Sequence, residues 1–123
     1  MLDRPVPVRA SHSRKLILAG AIPVVPALWR HEVSNGLVIA ERRGRVRGDQ
    51  LETLTQDLDE FSEIVQVDPL VPRASVLIQT ARNTKLTVYD AAYVELAARR
   101  RLPLATLDDK LREAARQAGL ALV

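Results

Sequence analysis

Every strand-like segment of this chain is separated from the next by a stretch with helical periodicity, and that alternation limits the fold more than any other feature. AIPVVPAL (21–28) is short and β-branched, with no room for a helical turn between its prolines, and reads as a buried strand. Residues 64–68 alternate apolar and polar up to Pro69, and 102–107 and 120–123 are further strand-like runs. Between them, Trp29, Val33, Leu37 and Ala40 form one apolar stripe at the helical period, so a helix is expected from about 29 to 43, with Gly44 as its stop. Asp49 begins another, with Glu52 in capping-box position and Leu51, Leu54, Leu58 and Phe61 on its buried face. A short helix over 73–82 carries Val76, Leu77 and Ala81. Thr87 caps a stronger one, apolar at Tyr89, Ala92, Tyr93, Leu96 and Ala97. Asp108 or Asp109 opens a final helix through Ala118, which Gly119 closes. Strands joined by helical crossovers pair in parallel, so the expected class is α/β, an open parallel sheet with helices on both faces.

Upstream, residues 1–9 carry Pro5 and Pro7 and read as an extended lead-in. Ser11 or Ser13 is placed to cap a short helix through Leu18, ended by Gly20. At 123 residues, with no repeat or low-complexity linker, the whole chain (1–123) is expected to be one domain. The basic pair Arg14 and Lys15 before an uncharged run loosely resembles a secretory signal. That run is too short to span a bilayer and is broken by Gly20, Pro23 and Pro26, so a cytoplasmic protein without a membrane segment is the expectation.

Composition narrows the chemistry. Without cysteine there is no disulfide, thiolate metal site or cysteine nucleophile. The net charge of +3 permits an anionic partner without arguing for one. Aromatic residues make up only 3%, namely Trp29, Phe61, Tyr89 and Tyr93, so a multi-ring stacking platform for unpaired bases is nearly excluded.

In open parallel sheets, ligands collect beyond the carboxyl ends of the strands, where helices begin. Three acids sit at or near such positions: Glu32, Asp90 and Asp108. Were they to converge, they would repel one another unless a divalent cation neutralised them, and hard oxygen ligands suit Mg²⁺ or Mn²⁺. Each acid also has a purely structural reading. Asp90 has capping-box spacing from Thr87, Asp108 or Asp109 can cap the last helix, and Glu32 can pair with Arg30 or Arg43. Spacing does not choose between these.

The wording of two segments is more specific. PALWRHEVSNGLVIAERRGRV (26–46) and LTVYDAAYVELAARRRLPLATLDDKLREAA (86–115) carry W-x-x-E-x-x-N, Y-D-A-x-Y and L-A-T-x-D in that order. From about residue 10 to the C-terminus the chain resembles the PIN-domain ribonuclease family, and within it the VapC-type toxins of bacterial toxin–antitoxin pairs. The resemblance implies a Mg²⁺- or Mn²⁺-dependent endoribonuclease in which Glu32, Asp90 and Asp108 are catalytic and bind the metal, supported by Asn35, Thr106 and Asp109. It further implies an RNA substrate, a cognate antitoxin that holds the enzyme inactive, and a homodimer. Arg42, Arg43, Arg45 and Arg47, with Arg99, Arg100 and Arg101, could guide the RNA backbone by charge, although arginines near helix C-termini also simply meet the helix dipole. His12 and His31 take no role.

One departure matters. Family members begin with an apolar central strand bearing a metal-binding aspartate, whereas here MLDRPVPV has prolines at 5 and 7 that would delete ladder donors, so Asp3 does not inherit that role. Either the true start lies upstream or the gene has decayed; in both cases the first, central strand is expected to be missing. A non-catalytic PIN-like module that pairs with an antitoxin-like partner or itself is the alternative function. A phosphatase-like domain lacks the aspartate-led nucleophile motif it would need. The expected consequence of a missing central strand is a chain that folds poorly or aggregates alone, and a sharp two-state melt of the purified chain would contradict it.

Overall fold

A computed structural model describes residues 22–106 and 108–123. In chain order its elements are β1 (Val24–Val25), α1 (Trp29–Arg42), α2 (Gly48–Ser62), β2 (Gln66–Val67), α3 (Ala74–Thr84), α4 (Val88–Arg100) and α5 (Asp109–Gln117). β1 and β2 pair in parallel, with Val24 opposite Gln66 and Val25 opposite Val67. A second parallel contact joins Leu104 to Leu122 as a single bridge. The architecture is therefore α/β with parallel pairing, as the alternation requires. The lead-in, the helix through Leu18 and the position of any first, central strand lie outside the described residues.

The strands are much shorter than their apolar runs, and proline accounts for the limits. Pro26 has no N–H to extend β1, Pro69 closes the segment after β2, and Pro103 precedes the bridge at Leu104. The helices follow their periodicity more closely. Gly44 (φ +73°) and Gly119 (φ +76°) end α1 and α5 in the left-handed region, where a side chain would be strained. The N-cap of α2 lies two residues before the expected Asp49. Arg47 is its N-cap residue, and its N–H donates to the Gln50 side chain (2.9 Å), so the Asp49–Glu52 pair is not the cap. α3 runs on to Thr84 and buries no residue fully, leaving Val76 and Ile78 exposed; it lies against α4.

The core gathers Val25 from β1, Trp29, Val33 and Leu37 from α1, Leu58 from α2, Leu104 from the bridge, and Leu111 and Ala115 from α5 around α4. The Trp29 and Phe61 rings meet at 5.9 Å, tying α1 to α2. α4 is the central element, with Ala91 and Tyr93 to Ala97 all buried. Its buried stripe is wider than expected and differently placed, since Tyr89 is exposed and Ala92 only half-buried.

Burying α4 takes an acid inside with it. Glu95 is 8% exposed and accepts from Arg99 one turn on (Nε to Oε2, 2.8 Å). The Arg99 guanidinium also donates to Asp68, which is 4% exposed, and Arg100 stands 3.7 Å from the same carboxylate. This cluster clamps the segment after β2 onto the C-terminal half of α4. The hydrogen bond from Arg99 holds the Asp68 carboxyl below its ordinary value of 3.8, and Glu95 and Asp68 together raise the Arg99 guanidinium further.

Asp68→Asn should destabilise the chain by about 3–5 kcal/mol in urea unfolding near neutral pH, because it leaves Arg99 short of a buried partner. Since the folded carboxyl titrates below the unfolded one, the stabilisation is complete above about pH 4 and fades below it. The gap between variant and wild type should narrow over that acid range; a gap that stays constant would contradict the ion-pair account.

Candidate active site

Glu32 lies in the first turn of α1, half-buried, its position set by Trp29 and Val33 turning into the core on either side. Its Oε1 accepts a hydrogen bond from the Tyr93 hydroxyl (3.2 Å), which reaches across from α4. Tyr93 is fully buried, so its ring is held by packing and its hydroxyl by this carboxylate. Asp90 lies three residues before Tyr93 on the same face of α4, half-buried. Its backbone N–H donates to the Thr87 hydroxyl (3.2 Å), so Thr87 caps the helix as its spacing implies. The Tyr93–Glu32 contact thus draws the first turn of α1 toward the start of α4.

Asp108 stands at the N-cap of α5. Its Oδ1 accepts from the Leu111 N–H (3.0 Å), while its own N–H donates to the Thr106 hydroxyl (3.1 Å). Thr106 is buried, and its carbonyl accepts from Arg112 (3.0 Å). Asp109 is exposed in the first turn of α5. The capping reading of Asp108 is therefore correct, and the cap employs one of its two carboxylate oxygens.

Asn35 is exposed on α1 and lines a cleft of about 530 Å³ with Leu28, His31, Glu32 and Tyr89. A narrower, largely apolar groove shares Leu28, Glu32 and Tyr89 and runs toward Leu70, Val71 and Leu77. The arginines divide into two groups. Arg42, Arg43 and Arg45 are exposed at the far end of α1, about 15 Å along the helix axis from Glu32. Arg47 pairs with Asp49 at the surface, Arg99 and Arg100 face Asp68, and Arg101 is the C-cap of α4.

Among the described residues no group of three or more His, Asp or Glu side chains is close enough to enclose a metal ion. As they stand, Glu32, Asp90 and Asp108 do not form such a cage. The oxygen donors do fit a sparser site, because Mg²⁺ keeps several waters and is held through one or two carboxylates plus substrate phosphate. Glu32 in the first turn of α1 and Asp90 in the first turn of α4 are donors of that kind, and the Asp108 cap uses only one of its two carboxylate oxygens.

Tyr93, Asp68 and Glu95 were not legible as site or support residues from the motifs. Glu95 followed by Arg99 at i,i+4 within an apolar helix was a usable signal of a buried pair. A tyrosine one turn beyond Asp90 signalled only an apolar stripe, and nothing in the segment around Asp68 announced a buried acid.

Comparison with known proteins finds relatives in both sequence and fold. The PIN domain family model matches residues 7–117. Ribonuclease VapC3 from Pyrobaculum aerophilum is 36% identical over 86 residues, covering 70% of this chain and 66% of that protein. The chain thus spans just under two-thirds of the relative it matches. The crystal structure of PAE2754 from the same organism superposes with a TM-score of 0.76 at 24% identity, over 92% of this chain and 83% of that one, a likeness of fold.

Tyr93→Phe should lower stability by about 1.5–3 kcal/mol in denaturant unfolding, the usual worth of a hydrogen bond to a charged group. The loss should largely vanish when the same substitution is made in a Glu32→Ala background, which has no side-chain acceptor for the hydroxyl. Equal losses in both backgrounds would show that the two side chains are not coupled.

Proposed function

The chain belongs to the PIN-domain family, and from that premise we propose that it is a metal-dependent endoribonuclease of the toxin–antitoxin type, hydrolysing RNA with water as the nucleophile. The observation that carries this reading is the Tyr93–Glu32 hydrogen bond, which couples the acid of α1 to the face of α4 that bears Asp90. The similarity to a VapC ribonuclease supports the reaction class.

Asp90 and Asp108 are the proposed metal ligands, and Glu32 either joins them or orients the attacking water. Mg²⁺ or Mn²⁺, when bound, supplies Lewis acidity toward the phosphodiester and lowers the pKa of the water. Glu32 accepts at Oε1 from Tyr93, which fixes the rotation of its carboxylate and aims it into the cleft. Asn35 offers an amide on the same cleft wall. Thr106 and Asp109 flank Asp108, with the Thr106 hydroxyl holding the backbone that presents it. Arg42, Arg43 and Arg45 attract the RNA backbone at a distance from the cut. A cognate antitoxin protein and a homodimer are the proposed partners. No helix among the described residues is long and apolar enough to cross a membrane, consistent with the proposed cytoplasmic location.

A second reading is a PIN-fold module without catalysis that binds an antitoxin-like partner or itself. It is favoured by the lack of a three-acid group among the described residues and by the use of an Asp108 oxygen as a helix cap.

RNA cleavage by the purified chain should require Mg²⁺ or Mn²⁺, stop in EDTA, and fall at least about 100-fold in Asp90→Asn. The absence of cleavage with any divalent ion would leave the binding module as the function.

A further inference from the structure

We propose that the cleft beside Glu32 grips one unstacked RNA base, stacked on the Tyr89 ring and read along its edge by Asn35. The proposal rests on the ribonuclease reading and specifies which part of the substrate this site holds. The cleft, at about 530 Å³, is of a size that accommodates a nucleotide. Two elements build its walls: Leu28, His31 and Asn35 flank the first turns of α1, and Tyr89 stands in the first turn of α4, with Glu32 between them. A base held there lies against Glu32, the carboxylate proposed to orient the attacking water.

Tyr89 differs from the other described aromatic residues. Trp29 and Tyr93 are buried, and Phe61 packs on Trp29, but Tyr89 is 55% exposed. The buried side of α4 is complete without it, being made by Ala91 and Tyr93 to Ala97. Its ring therefore offers a π face at the mouth of the cleft, a surface on which any base can stack. Asn35 and His31, one turn apart on α1, add donors and acceptors suited to a base edge. A purely apolar occupant would offer these two side chains nothing to bond. With a single exposed ring the grip is on one base, which is consistent with the exclusion of a multi-ring platform.

The test uses an unstructured RNA oligonucleotide whose cut position is mapped with the wild-type chain, and the same oligonucleotide made abasic, in turn, at each nucleotide beside the cut. Tyr89→Ala is expected to raise KM about 5- to 150-fold on the intact RNA while leaving the melting transition in place, and Tyr89→Trp to restore it. At one abasic position the difference between wild type and Tyr89→Ala should disappear, because the ring then has no base to stack. Equal KM for wild type and Tyr89→Ala on intact RNA, or a difference that persists at every abasic position, overturns the base grip while the nuclease reading stands. A wild-type chain that cuts no RNA with Mg²⁺ or Mn²⁺ overturns that reading and this proposal with it.

Discussion

A helix that is buried on most of its sides must find a partner for every polar group it carries inward, and α4 is such a helix. Between Ala91 and Ala97 only Ala92 remains partly open, and two polar side chains, Tyr93 and Glu95, are taken into the interior. Left unpaired, each would cost on the order of 1–3 kcal/mol or more, a large part of a typical domain stability of about 5–15 kcal/mol. Tyr93 is answered by Glu32 of α1, and Glu95 by Arg99, which also engages Asp68 after β2. These two requirements fix where α1 and the segment after β2 must sit. The first brings an acidic side chain to the edge of a cleft.

The sheet contributes less than the helices to this arrangement. Its described pairs are short because proline removes donors at Pro26, Pro69 and Pro103, and most buried apolar surface comes from helix packing on α4. Alanines at 91, 97, 114 and 115 permit close approach of neighbouring elements, while Trp29, Leu96, Leu104 and Leu111 fill the remaining space. The three proposed site acids each stand at a helix start: Glu32 on α1, Asp90 on α4 and Asp108 at the cap of α5.

Local physics made much of this readable. The stripe of Trp29, Val33 and Leu37, the Thr87 cap, and the glycine stops at 44 and 119 depend on period and backbone conformation, and they lie where the sequence places them. The parallel character of the strands followed from the helical crossovers. Their lengths did not, because an apolar run shows burial rather than pairing. The α2 start moved to Arg47 because the Gln50 amide competes effectively for the cap N–H, a contest between neighbours that spacing alone does not resolve. Long-range polar pairs such as Tyr93–Glu32 and Arg99–Asp68 join residues far apart in the chain, so no local pattern announces them. For the same reason the motifs gave the acids a role but gave none to the second tyrosine of Y-D-A-x-Y, Tyr93, which connects two of their elements.

The central claim is that Glu32 and Asp90 work as one unit across the α1–α4 contact. Kinetics of RNA cleavage by Glu32→Gln, Asp90→Asn and the double variant test it most directly, since residues acting together give strongly non-additive losses. The account predicts that the double variant is no slower than the worse of the two single variants. Single losses that multiply in the double variant, or a single variant that cuts RNA as fast as the wild type, would contradict it.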